Sequence, residues 1–523
     1  MASDTSLPDW PPAELLGDLR NRSVTRDARD FALSTGLVYR AVPQRQGDIP
    51  PQDTTIHAPI TLLPSPFPRQ LFEKAENLQP LYNKLYAQLS LDEKFIKSIM
   101  EDTVVHVDEF QARLYAIWQT VLKEGVSQST QSGIFRSDYM MHSPQQDGIQ
   151  LKQVEFNVIS SSFGPLCTKT SAMHHYLLRK GAYDALHPSL IKENMPENHA
   201  LETYAAGLAD AHNHYVEECR DAHAQRSVKP VVLFVVQETE RNSFDQRAIE
   251  MLLIEKYAIP VIRLTFEELG KTASLHGRAR ILMIQSPATH APVEVSTVYF
   301  RTGYSPEDYT ESAWDTRLTL ERSHAIKCPS IALQLVGSKK AQQVLAEPGV
   351  LEKYLGNDAD QVRHSFMQLW PMDPNTKLGK QAHRLVREHP ENYVLKPQRE
   401  GGGHNIYKKD ILPALDAMEK RDKQREAQGG NHVKECEAYI LMSLIEQPEH
   451  RGSLFVRANK NSDNAELVKD SVNELGIYGA VLYSPESILK NRSGGYLLRT
   501  KSKDSDEGGV AVGFSVIDTP LLV

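Results

Sequence analysis

The sequence predicts a mixed α/β protein built on more than one core, and three observations lead there. Its 523 residues exceed the ~250 to 300 at which a single core stops growing. Residues 13 to 125 carry helical periodicity, whereas buried strand runs alternate with helical ones after Pro230. A content of 40% hydrophobic and 24% charged residues is that of an ordinary globular chain.

The opening run Met1-Ala-Ser-Asp-Thr-Ser-Leu-Pro-Asp9 has acids where a secretory signal needs lysines, and it lacks an apolar centre. No stretch reaches the ~18 apolar residues of a membrane span, so a cytoplasmic chain with no membrane association is expected. The net charge of -8 argues against nucleic acid as the principal partner. The four cysteines, Cys167, Cys219, Cys328 and Cys436, form no CxxC pair and are too few to staple a chain of this size, which suits a reducing compartment. No internal repeat points to a solenoid or propeller.

Helices are expected at Ala13-Glu-Leu-Leu-Gly-Asp-Leu19 and along Phe110 to Leu122, interrupted by the proline-rich segment from Pro59 to Pro68. In Val154-Glu-Phe-Asn-Val158 the apolar side chains fall on one face of a strand, leaving Glu155 and Asn157 together on the other. Two hard oxygen donors at that spacing suit magnesium, and the same pattern describes a one-sided sheet with a solvated face. From Pro230 the order changes to strand (230–236), helix (245–257), strand (260–264), then strands at 280–284 and 295–300. This predicts a small parallel α/β unit with polar loops at its strand ends, Gln237 to Asn242 and Arg301 to Tyr304.

A further helix is expected to start at Ser338, with Lys339 and Lys340 in its first turn. That is an unfavourable place for cations unless an anion faces them, and a solvated lysine pair is the competing reading. Next, Tyr393-Val-Leu395 reads as a strand leading into Lys396-Pro-Gln-Arg-Glu-Gly-Gly-Gly-His-Asn405. Three glycines admit close backbone approach to phosphate oxygens, with Lys396 supplying charge and Glu400 a magnesium ligand; a plain surface loop has the same composition. The polar stretch from Glu419 reads as an exposed helix end. Near the C-terminus, Tyr496-Leu-Leu-Arg-Thr-Lys501 puts Arg499 and Lys501 on one strand face before a small-residue loop, either a carboxylate site with a lid or a basic sheet edge.

These runs together closely resemble the eukaryotic glutathione synthetases, ATP-grasp carboxylate-amine ligases, over essentially the whole length. The resemblance is carried by Ile134-Phe-Arg-Ser-Asp-Tyr-Met140, Glu155 to Gly164, Glu240 to Glu250, Glu321 to Pro329, Lys396 to Asn405, Asn473-Glu-Leu-Gly-Ile477 and Leu498-Arg-Thr-Lys501. It implies an ATP-grasp fold with an N-terminal helical part and the first part of the catalytic domain (1–228), an inserted parallel α/β substrate-binding domain (229–337) and a nucleotide-binding part with glycine-rich and C-terminal lid loops (338–523).

The activity implied is ATP-dependent ligation of γ-glutamylcysteine and glycine through an acyl phosphate, giving glutathione, ADP and phosphate, by a homodimer. Matched by position, the resemblance makes Glu155, Asn157 and Glu400 the Mg²⁺ ligands. It gives ATP to Lys339, Lys396, Glu400, Gly401, Gly402, Gly403, Asn405, Tyr407, Met442, Ile445, Glu474, Lys501 and Glu507. Substrate contacts are implied at Arg136, Ser160, Ser162, Glu240, Asn242, Gln246, Arg301, Tyr304, Arg499, Val510 and Ala511, with Arg136, Lys339, Lys396 and Arg499 catalytic. Departures fall at Ser443-Leu444, where vertebrate members carry Glu-Lys, at His404, at Glu507, and at Val512 in place of a lid alanine. The bulkier Val512 motivates a sibling ligase using β-alanine or another small amine as the alternative acceptor chemistry. A catalytically silent nucleotide-binding protein is the other alternative.

Overall fold

In the computed structural model, residues 7–41, 53–144, 148–219, 229–398, 404–427, 433–448, 451–458, 462–505, 509–510 and 513–523 are described. The centre is a seven-stranded sheet in the order Arg451–Val456, Ile60–Thr61, Ser515–Asp518, Ile488–Ser502, Glu466–Tyr483, Gln131–His142, Gln150–Asn157. It is antiparallel apart from the parallel pairing of Ile517 with Ile60. Arg451–Val456 also pairs with Glu466–Tyr483, so the sheet partly closes on itself.

Both faces are covered, because successive strand residues alternate sides. Phe135, Tyr139 and Phe156 enter a core with the helices Arg69–Leu91, Glu109–Glu124 and Ile331–Val336. Ile134, Tyr478 and Leu497 enter a second core with Asp18–Thr35, Gly164–Arg179 and Ala200–Glu218. The long helix Arg69–Leu91 shows why: Phe72, Ala75, Leu78, Tyr82, Leu85, Tyr86 and Leu89 recur at helical spacing and are all buried. At the N-terminus the expected helix is displaced. Ala13–Leu15 forms a single 3₁₀ turn, and Gly17 delays the α-helix to Asp18.

A second sheet holds the expected α/β unit. Val261–Leu264, Val231–Val235, Pro292–Phe300 and Ile326–Cys328 run parallel, and the helix Ser243–Tyr257 makes the crossover. The unit is not wholly parallel. Ile281–Gln285 and Ser274–His276 add antiparallel strands, because only the short turn Ser286-Pro-Ala-Thr-His-Ala291 joins Gln285 to Pro292 and no crossover helix fits there. A third, four-stranded sheet runs Leu369–Pro371, Tyr439–Ser443, Tyr393–Pro397, Ile406–Tyr407, with Lys377–Glu388 and Ile411–Ala427 packed on it. Of the polar stretch from Glu419, residues 419–427 form the end of that last helix, exposed apart from Asp422 and the half-buried Arg425, and residues 428–432 lie outside the described residues. Among the described residues no helix is long and apolar enough to cross a membrane.

Candidate functional site

The polar side chains on one face of the seven-stranded sheet converge where its helical cover ends. Strand register brings them together: Asp138 lies opposite Glu155 and Gly476, Arg136 opposite Asn157 and Tyr478, and Glu474 opposite Arg499. Parity puts all of them on the side away from Phe135 and Phe156.

Glu155 is not solvated. Lys339 Nζ donates to its Oε2 at 2.6 Å, and both side chains are largely buried. Burial would raise the Glu155 carboxyl, but the ammonium groups of Lys339 and Lys396, with Arg499 beyond, hold it at about 2. Lys396 donates to the Val154 carbonyl at 2.9 Å, one residue from that carboxylate. Burial and the neighbouring Lys339 pull Lys396 down to about 8, partly offset by Glu155 and Glu474. The two lysines come from different elements, the strand Tyr393–Pro397 and the helix Lys339–Leu345 capped by Ser338. The anion that justifies a cation in that first turn is Glu155, so the solvated-lysine reading fails for Lys339.

Asn157 donates its amide hydrogens to the Arg136 carbonyl (3.1 Å) and to Asp138 Oδ2 (3.0 Å). Its carbonyl oxygen is thereby turned away from both acceptors. The hard donors at this point are thus a carboxylate and an amide oxygen, a set that fits magnesium. The third expected ligand, Glu400, lies outside the described residues, as do Gly401, Gly402 and Gly403. Among the described residues no group of three His, Cys, Asp or Glu could hold a metal.

Arg499 sits on Ile488–Ser502, which is flanked on both sides by paired strands, so the sheet-edge reading of this basic face is overturned. Its guanidinium donates to Asp138 Oδ2 at 3.1 Å and makes a short contact to Glu474. Lys501 is two residues further along the same strand, opposite Val472 and Ser515. Val510 is buried against the second core, while Glu507, Ala511 and Val512 lie outside the described residues.

A second group adjoins the first through Arg136, whose Nη1 reaches the Ser162 carbonyl at 3.3 Å. The loop after Asn157 is held in a costly conformation, with Ser160 at φ 50° and Phe163 at φ 75°, each worth ~1 to 3 kcal/mol of strain. Arg301 Nη1 (2.5 Å) and Tyr204 Oη (2.7 Å) donate to the Ser161 carbonyl, and Tyr478 Oη to that of Ser162 at 2.6 Å. Arg301 Nη2 donates to Ser162 Oγ at 2.7 Å. Asp245 accepts the Phe163 and Leu166 amides at 3.0 and 3.2 Å, and burial pushes its carboxyl up to about 6 despite Arg301 and those amides.

Glu240 accepts the Asn242 backbone amide at 2.7 Å and the Gln246 side chain at 3.2 Å; Gln246 in turn accepts from Arg263 at 2.7 Å. Both side-chain atoms of the buried Asn242 amide, and Nε of Arg301, have no hydrogen-bond partner in the protein. Orphaned buried polar atoms are costly, and these two residues follow neighbouring parallel strands, Val231–Val235 and Pro292–Phe300, where a polar ligand could supply the missing partners. Tyr304 lies beside Gln237 at the neighbouring strand end.

On the four-stranded sheet, Asn405 Nδ2 donates to Tyr407 Oη at 3.1 Å. Met442 is buried on Tyr439–Ser443, opposite Leu369 and Val394, and Ile445 follows the strand end. The Ser443 and Leu444 amides are occupied by the carbonyls of Gln368 and Asn392, so neither backbone donor is free for a base.

Sequence reasoning missed Asp138, Asp245 and Arg263. The signal for Asp138 was present, since Arg136 and Asp138 are two apart in a strand and so share a face. For Asp245 and Arg263 no local signal exists, because their partners are 79 or more and 17 residues away.

A family model described as "Eukaryotic glutathione synthase, ATP binding domain" matches residues 19–522. The chain is 36% identical over 511 residues to "Glutathione synthetase large chain" of Schizosaccharomyces pombe, covering 94% of this chain and 96% of that one. It is 38% identical over 514 residues to "Glutathione synthetase, chloroplastic" of Arabidopsis thaliana (98% and 87%) and 36% over 500 residues to the Homo sapiens "Glutathione synthetase" (95% and 96%). Its fold is similar to that of the apo form of a glutathione synthetase like-effector (GSS30) from Globodera pallida, with a TM-score of 0.71 at 22% identity over 98% of each chain.

Proposed function

The chain belongs to the eukaryotic glutathione synthase family, and from that premise we propose that it joins γ-glutamylcysteine to glycine at the expense of ATP. The observation that carries this reading is the buried convergence of Lys339, Lys396 and Glu155 beside Arg499 and Arg136, phosphate-binding and carboxylate-binding cations on one sheet face. We assign the architecture to the ATP-grasp fold, with an N-terminal helical part and the first part of the catalytic domain (1–228), a substrate-binding α/β insert (229–337) and a nucleotide-binding part (338–523). The nucleotide then lies between the four-stranded sheet and the seven-stranded one. A cytosolic homodimer completes the assignment; the four cysteines form no disulfide.

In this reading the cysteinyl carboxylate of the dipeptide attacks the γ-phosphorus of ATP and ADP departs. The glycine amine then attacks the acyl carbon, phosphate leaves, and the amine loses its proton. Neither step needs a protein nucleophile; both need positioning and charge neutralisation. Lys339 and Lys396 hold the phosphate oxygens, Arg136 and Arg301 the donor side, and Arg499 a substrate carboxylate. Asn242, whose side-chain amide has no protein partner, and the strained Ser160 to Ser162 segment receive the dipeptide. Asn405, Tyr407, Met442 and Ile445 line the nucleotide, and water must be kept from the acyl phosphate. Glu155, Asn157 and Glu400 would hold magnesium, which neutralises phosphate charge when bound.

The test is incubation with γ-glutamylcysteine, glycine and Mg·ATP. Equal amounts of ADP and tripeptide are expected, and the absence of both overturns the assignment. Val512 motivates one second reading, a ligase that takes β-alanine or another small amine as acceptor. Competition between glycine and β-alanine decides it, with β-alanine preferred if that reading holds.

A further inference from the structure

We propose that Asp138 is a positioning residue that locks Arg136 and Arg499 into one rigid unit, so that the donor and acceptor carboxylate sites are set by a single buried carboxylate. This rests on the reading of those two arginines given above and deepens it.

Asp138 is 1% exposed on the strand Gln131–His142, so it reaches no ligand itself. Its Oδ1 accepts from Arg136 Nε at 2.6 Å. Its Oδ2 accepts from Arg136 Nη2 at 2.8 Å, Asn157 Nδ2 at 3.0 Å and Arg499 Nη2 at 3.1 Å. A bidentate fork fixes the plane of Arg136, and the shared oxygen ties that plane to Arg499 and to the Asn157 amide. The lock needs the opposite strand to lie flush. At Gly476, which faces Asp138, an added Cβ would come within 2.6 Å of Arg136 Cδ and 2.7 Å of Asp138 Oδ1. Glycine here makes room for the pair.

Asp138→Asn keeps the shape but replaces one acceptor with an amide donor facing arginine donors, so at least one arm of the lock opens. Gly476→Ala opens it by crowding, with no change of charge, and serves if Asp138→Asn does not fold. In the full chain, calorimetry should show γ-glutamylcysteine binding weakened about 10- to 150-fold, the range of one charge-assisted hydrogen bond. Metal-free ADP binding, which uses the lysines, should stay within about twofold, while the thermal midpoint falls because a buried carboxylate shared by two arginines is lost or crowded. A dipeptide affinity equal to wild type in both variants overturns the proposal. Loss of ADP and dipeptide binding together also overturns it by showing a structural role alone. A wild-type chain that binds the dipeptide without forming tripeptide refutes the reaction but leaves this test readable, whereas one that binds no dipeptide refutes both.

Discussion

Replacing Lys339 by methionine removes the closest cation from Glu155 while keeping most of the buried volume. At 2.6 Å and an effective dielectric of about 20, the Coulomb attraction is ~6 kcal/mol before desolvation. The net figure is smaller. A carboxyl held at about 2 against an ordinary 4.5 corresponds to ~3 kcal/mol of stability, shared among Lys339, Lys396 and Arg499. Because the folded value is depressed, that contribution is complete above pH 4.5 and lost only as pH falls through 2, so neutral pH reads it in full. With Lys396 and Arg499 still present, Lys339→Met should cost ~2 kcal/mol, below the ~3 to 5 of a fully orphaned buried charge. Urea unfolding of Lys339→Met, Glu155→Gln and the double variant gives the coupling directly. The same substitution should raise KM for ATP at least tenfold. A coupling below about 0.5 kcal/mol, the size of an exposed pair, with unchanged KM for ATP would refute the reasoning.

Three further outcomes follow from particular contacts. Arg499→Ala should lower kcat/KM for the substrate whose carboxylate it anchors by about 10- to 150-fold, a loss of ~1.5 to 3 kcal/mol; unaltered steady-state kinetics would remove it from the site. Asp518 is wholly buried, and burial pushes it up to about 6 in spite of donations from Ser65, Thr500, Thr61 and the Thr519 amide. Its folded value is raised, so its contribution is present below pH 3.8 and lost as pH rises through about 6, a change of ~3 kcal/mol. Asp518→Asn should flatten that part of the stability curve, and urea midpoints between those limits that keep the wild-type slope would contradict it. Gly495 has φ 80°, and an added Cβ would lie 2.1 Å from the Ala200 amide nitrogen. Gly495→Ala should therefore lower the thermal midpoint sharply or prevent folding, and an unchanged midpoint would disprove the close approach.

How far the sequence disclosed this molecule depended on the range of each interaction. The helix Ser243–Tyr257 and the strand Val231–Val235 were legible because periodicity and apolar runs are local properties. The pairing of Glu155 with Lys339 was half legible: Lys339 looked out of place as a cation in a first helical turn, whereas Glu155 fitted the solvated face of a one-sided sheet. Their separation of 184 residues hid the answer each gives the other. The antiparallel edge of the second sheet was not legible, since a strand's direction depends on how its connection closes in space rather than on its own side chains. Asp138 shows the same limit, for its four donors come from three strands.

The site's charges answer one another before any ligand arrives. Among the described residues, Arg136, Lys339, Lys396 and Arg499 face Asp138, Glu155 and Glu474, four cations against three carboxylates, all buried or nearly so. Buried ion pairs are poor sources of stability, since apolar residues of similar volume often serve as well. Their value here is pre-organisation: the cations are already desolvated and oriented, so binding an anion exchanges partners instead of stripping water from free side chains. Lys396 shows the direction of that exchange. Held down to about 8 by burial and by Lys339, it gains from every negative charge brought near, and a phosphate beside it would raise its affinity for the proton. In the proposed reaction Glu155 would correspondingly release Lys339 to meet magnesium. On that proposal phosphate and metal would each free the partner the other requires, and their binding would be mutually reinforcing.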